Sequence, residues 1–127
     1  MISSKSSPSG QGHLPKRGEV WRVNFNPTMG DEIQKTRPAI VISSDAASSI
    51  RLRLAVPVTT WQPKFQGRYG YLRLSADGRN GLANDSAVNM FQVRCMSTDR
   101  FLTKLGVVPA DVMEEIVAFI ASVIEYV

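Results

Sequence analysis

Apolar and polar residues alternate with a period of two along most of this chain and take up a helical period only near its end. In the run 20–25, Trp21, Val23 and Phe25 share one face while Arg22 and Asn24 take the other, the pattern of a strand. Residues 39–42, Ala-Ile-Val-Ile, are apolar on both faces and predict a central, buried strand. Ser43-Ser44-Asp45-Ala46-Ala47 offers capping side chains and small residues, which fits a short helical turn or a loop. Leu52, Leu54, Val56 and Val58 then alternate with Arg51, Arg53, Ala55 and Pro57, predicting a strand with its apolar set on one face. Residues 71–74 make a further short strand, closed by the turn dipeptides Asp77-Gly78 and Asn80-Gly81. Residues 87–94 read as the next strand, and 102–108 as a short additional one.

The period changes at Pro109-Ala110-Asp111. Proline at the first turn, with Asp111, Glu114 and Glu115 near the positive end, opens a helix. Its stripe of Val112, Met113, Ile116, Phe119, Ile120, Val123, Ile124 and Val127 reads as core packing. Short strands, tight turns and one terminal helix predict a mainly β domain: a small, strongly curved β-barrel with a C-terminal helix. Residues 1–16 hold five serines with Pro8, Gly10, Gly12 and Pro15 and no apolar period, so a flexible arm is expected ahead of a domain spanning 17–127.

A length of 127 residues suits one hydrophobic core. The sequence has no apolar run long enough to span a bilayer and no signal-type apolar segment, so a soluble, cytoplasmic protein is expected. The net charge of +4 hides an asymmetry. Residues 1–110 carry all fifteen Lys and Arg and seven of the eleven acids, for +8, while 111–127 carry four acids and no base, for −4. A basic body favours an anionic partner, either nucleic acid or an acidic polypeptide.

The chemistry is narrowed by what is missing. The single histidine, His13, lies in the expected arm, which excludes paired-histidine acid–base catalysis and a Ser-His-Asp triad. One cysteine, Cys95, and one distant histidine make no zinc cluster, and Asp31-Glu32 has no third carboxylate nearby for a two-metal site. Cys95 is read as a small, semi-buried side chain without redox or nucleophilic duty. Arg, Thr, Glu and Lys remain, with no cofactor or metal expected.

Two places concentrate them. Pro38 has no N–H and biases Arg37 toward extended geometry, fixing a guanidinium where a polar loop enters a buried strand. The strand ending Val56-Pro57-Val58 runs into Thr59 and Thr60. An arginine and a threonine at two strand ends can grip and polarise a phosphate. The loop Thr60-Trp61-Gln62-Pro63-Lys64-Phe65-Gln66-Gly67-Arg68-Tyr69 interleaves rings with cations, a composition suited to unpaired RNA. The competing reading is that Trp61 or Phe65 tucks under the loop as core.

Arg17-Gly18-Glu19-Val20-Trp21, the run from Asn26 to Ile42, Val56-Pro57-Val58-Thr59-Thr60, Gly81-Leu82, Asp85-Ser86-Ala87-Val88, Gln92-Val93-Arg94 and Lys104-Leu105-Gly106 stand in an order and spacing that resembles the MazF/PemK family. That resemblance covers residues ~17 to 126 and implies an SH3-like barrel of the CcdB/MazF type, assembled as a homodimer. It implies a sequence-selective, metal-independent endoribonuclease toxin of a toxin–antitoxin system, blocking translation by cutting single-stranded mRNA. Attack by the 2′-hydroxyl would give a 2′,3′-cyclic phosphate and a 5′-hydroxyl, a route DNA lacks. Arg37 and Thr59 match the family's catalytic Arg and Thr, and Glu32 matches a loop acid implicated in some members, as a base or loop organiser. Lys35, Thr60, Trp61, Lys64, Phe65 and Arg68 are the expected RNA-binding residues. An acidic, MazE/PemI-like antitoxin is the implied partner. Two alternatives stay open: a gyrase-binding toxin of the CcdB type, and an RNA-binding module without cleavage.

Overall fold

The computed structural model describes residues 14–26 and 36–126. Among them seven strands precede a helix: β1 (Glu19–Asn24), β2 (Thr36–Val41), β3 (Leu52–Thr60), β4 (Tyr71–Leu74), β5 (Ser86–Asn89), β6 (Arg94–Ser97), β7 (Phe101–Val107) and α1 (Ala110–Val123). All pairings are antiparallel, in the order β4-β5-β3-β2-β1-β7, with β6 also on β3. The long β3 makes this possible, since different stretches of it pair with β2, β5 and β6. The mainly β fold with a C-terminal helix agrees with the sequence pattern.

Alternation along β1 and β2 sorts side chains into two cores. Val20, Ile40, Ile42, Val56, Val58 and Val88 face one side, where α1 covers them with Met113 and Ile116. Trp21, Val23, Phe25, Ala39, Val41, Ala55, Met96 and Phe101 face the other. Apolar residues on both faces of β2 are thus explained by a layer on each side, and each fully buried aliphatic side chain contributes about 1.5–3 kcal/mol. The 3-10 turn at Asp45–Ala47 follows its Ser44 cap, as the serines and small residues predict. Close backbone approach fixes Gly81, at φ +68°, because a Cβ there would run into the Leu105 carbonyl.

Three readings are corrected. The β3 alternation holds, but at its start Leu52 and Leu54 point outward, 49 % and 43 % exposed, while Arg53 is buried at 4 %. Backbone carbonyls make that burial tolerable: Arg53 donates to Pro15, Ile50, Leu52 and Ser48. The expected strand 87–94 is broken, because a 3-10 turn at Met90–Gln92 separates β5 from β6. The break falls beside Pro57 of β3, which has no N–H for a ladder, and it lets Met90 drop into the core. Cys95 is exposed, since it pairs with the outward Leu54. The last strand, expected at 102–108, is found one residue earlier and is held along β1.

Residues 1–13 of the expected arm lie outside the described residues. Pro15 is buried, and its carbonyl accepts the Arg53 Nε–H at 2.8 Å. Glu19 anchors the same corner. Its carboxylate accepts from Lys16 N–H at 2.8 Å and Trp21 Nε1–H at 2.9 Å, and lies 3.2 Å from Lys104 Nζ. Burial alone would raise its pKa, but these donors together outweigh burial and hold it below the ordinary value.

Candidate active site

β2 and β3 are in a register that sets Ala39 opposite Pro57. Two residues back along β2 and two forward along β3 bring Arg37 and Thr59 together on the same face. The guanidinium Nη1 donates to Thr59 Oγ1 at 3.1 Å. Because that hydroxyl accepts from arginine, its own proton is free for a further acceptor. Arg37 is half-buried, and its Nε is buried with no acceptor among the described residues. A buried donor left unpaired costs about 1–3 kcal/mol, so an incoming anion at this position would recover a real deficit.

The pair opens into a groove of about 740 Å³. Its charged lining residues are Arg37, Lys64 and Arg94, with no carboxylate among the described ones. Gln62, Tyr71, Asn89 and Gln92 add neutral donors and acceptors, and Phe25 and Phe65 supply rings. The Arg94 guanidinium lies over Phe25, 5.4 Å from the ring centre. Fixed cations and uncharged hydrogen-bonding groups without acids suit a polyanion whose bases must also be accommodated. Among the described residues no three His, Cys, Asp or Glu side chains come together as a metal site would need.

The sequence-predicted residues are distributed unevenly around this groove. Arg37, Thr59, Lys64 and Phe65 line it. Thr60 is exposed on β3 opposite Ser86, and Trp61 and Arg68 lie outside the lining. Glu32 and Lys35 lie outside the described residues. Phe65 requires a correction as a base-stacking ring. It is only 7 % exposed and stacks on Tyr71 at 4.4 Å with planes 16° apart. The reading that one ring tucks under the loop therefore holds for Phe65, whose buried ring seats the loop.

Trp61 is half-buried and meets Phe65 edge-on at 5.9 Å. One face of its indole is taken by the Arg73 guanidinium, 4.8 Å away, which Asp85 holds at 3.7 Å. The Trp61 backbone N–H donates to the Asp85 carbonyl at 2.8 Å, so the loop start is fixed. Gln62, Tyr71, Asn89, Gln92 and Arg94 were not anticipated as groove residues. A signal did exist: Asn89 and Gln92 are polar positions in an otherwise apolar run, but their common direction depends on the turn between β5 and β6.

Comparison with known proteins bears on this geometry. Residues 16–124 match the model of the family described as PemK-like, MazF-like toxins of type II toxin–antitoxin systems. Endoribonuclease MazF9 of Mycobacterium tuberculosis is 34 % identical over 103 residues, covering 76 % of this chain and 85 % of that protein. Endoribonuclease PemK of Escherichia coli is 32 % identical over 111 residues, covering 86 % and 81 %. Among solved structures, MazF of Deinococcus radiodurans superposes with a TM-score of 0.74 at 28 % identity, covering 89 % of this chain and 98 % of that one. A MazE–MazF structure from the same organism gives 0.72 at 26 % identity, covering 91 % and 99 %.

Proposed function

The chain belongs to the PemK/MazF family of type II toxins, and from that premise we propose that it is an endoribonuclease toxin cutting single-stranded RNA at the Arg37–Thr59 pair. The observation that carries this reading is the 3.1 Å pairing of those two side chains in a cation-lined groove, with a buried guanidinium donor that has no partner among the described residues. Arg37 holds the scissile phosphate and stabilises the phosphorane as charge develops. Thr59 donates its hydroxyl to a non-bridging oxygen. A donor aimed at developing charge is worth about 3–4 kcal/mol.

The reaction needs only the substrate's own nucleophile. The 2′-oxygen attacks the adjacent phosphorus, the bond to the 5′-oxygen breaks, and the 2′-proton leaves as the 5′-oxygen gains one. Arg37 donates the proton that the leaving 5′-oxygen gains, and Glu32 acts either as the base for the 2′-proton or as a loop organiser. The products are a 2′,3′-cyclic phosphate and a 5′-hydroxyl, and DNA is not cut. Arg37, Lys64 and Arg94 provide the positive charge, so the reaction is independent of metal.

An acidic antitoxin segment is the proposed inhibitor, drawn by the +8 of residues 1–110 and by the same groove. The relatives solved as MazE–MazF complexes support such a partner. The working form is a homodimer, for which the outward Leu52 and Leu54 on β3 supply apolar surface. The test is incubation with a long unstructured RNA in EDTA, followed by end mapping. Discrete cuts bearing cyclic phosphate are expected. RNA protected but never cut would replace the enzyme with a binding module.

A further inference from the structure

Asn89 stands at the entrance of the 3-10 turn at Met90–Gln92, where an asparagine ordinarily caps the turn with its side chain. Here it makes no capping bond. Its Nδ2 instead lies 3.5 Å from the hydroxyl of Tyr71, and its Oδ1 accepts no hydrogen bond among the described residues. Both residues are half-buried and line the groove. Tyr71 is held in place, because its ring is stacked on buried Phe65. The tyrosine thus orients a neutral amide that still has one N–H and its Oδ1 without a partner among the described residues.

Sheet register says where this amide stands. Thr59 is opposite Ala87 and Tyr71 is opposite Asn89, so Asn89 shares the face of Thr59 one pleat further along. That separation is about 6–7 Å along the strand direction, close to the step from a backbone phosphate to its neighbouring base. The groove's cations are placed to take phosphates, whereas an uncharged amide with adjacent donor and acceptor complements a base edge. We propose that Asn89, oriented by Tyr71, reads the edge of one nucleobase beside the scissile phosphate, and so sets the preference of the enzyme at that position. This rests on the endoribonuclease reading above.

The experiment compares the parent protein with Asn89→Ala and Tyr71→Phe on a pool of RNAs randomised around the cut, reading base preference at each position. Loss of a bidentate contact should flatten preference at a single position by roughly 5- to 100-fold, leaving the other positions unchanged. Tyr71→Phe should flatten the same position by less. Unchanged preference in Asn89→Ala, or equal slowing on every sequence, overturns the proposal, since a purely structural role would not single out one base. A second arm measures binding of the same pool to Arg37→Ala with and without Asn89→Ala. If the parent cuts no RNA, the endoribonuclease reading fails, and this arm still decides whether Asn89 selects a base.

Discussion

Arg53 and Arg37 lie on adjacent strands, and their guanidiniums have opposite surroundings. Arg53 is 4 % exposed and spends its donors on the carbonyls of Pro15, Ser48, Ile50 and Leu52. Arg37 is half-buried, gives one bond to Thr59, and keeps a buried Nε with no acceptor among the described residues. A saturated guanidinium holds the chain together, whereas an unsaturated one facing a groove is poised for a ligand. Counting donors against acceptors separates a structural arginine from a functional one, where burial alone would have picked the wrong residue.

The comparison predicts opposite phenotypes. Arg37→Ala should cut RNA at least ~100-fold more slowly, with urea unfolding shifted by less than about 1 kcal/mol; undiminished cleavage at matched folded concentration would break the contrast. Arg53→Ala should do the reverse, losing about 3 kcal/mol of stability because several buried carbonyls lose their donor. Its cleavage rate per folded molecule should remain near that of the parent. Thr59→Val keeps the shape of the pair and removes its hydroxyl, so cleavage should slow by roughly 100-fold, at the lower end of what one lost donor costs. Stability should hardly change.

Glu19 extends the comparison to a buried acid whose carboxylate accepts from Lys16, Trp21 and Lys104. Its folded pKa lies below its ordinary value, so its contribution is complete above that value, about 4.3, and is lost as pH falls through the lower folded pKa. The parent should therefore lose more stability across that acidic window than Glu19→Gln does. Urea titrations at several acidic pH values would measure the effect, and parallel curves for the two proteins would show that Glu19 is not held this way.

Much of the scaffold was legible because it is written in local alternation. The two-sided apolar run 39–42, the Pro109 helix start and the turn at Asp77–Asn80 depend on neighbours in sequence, and each appears in the fold. Arg37 and Thr59 were legible as strand-end residues, but their meeting depends on the β2–β3 register. Arg53 and the leucines beside it were misread for the converse reason. Period-two patterning says which residues share a face and not which face is covered, and Pro15, from outside the sheet, decides that. Asn89 and Arg94 were hidden by the turn that splits one expected strand into β5 and β6. Phe65 was one of two rings that could turn inward, and its stack on Tyr71, which pairs across to Asn89, settled which.

The central claim is that Arg37 and Thr59 assist attack by the substrate's own 2′-hydroxyl. The most direct measurement uses a short RNA with one cleavage site, made with and without a single 2′-O-methyl group on the attacking sugar, in EDTA. The account predicts that the protein binds both and cuts only the unmodified strand, leaving a 2′,3′-cyclic phosphate. Cleavage of the methylated strand at the normal rate would contradict it.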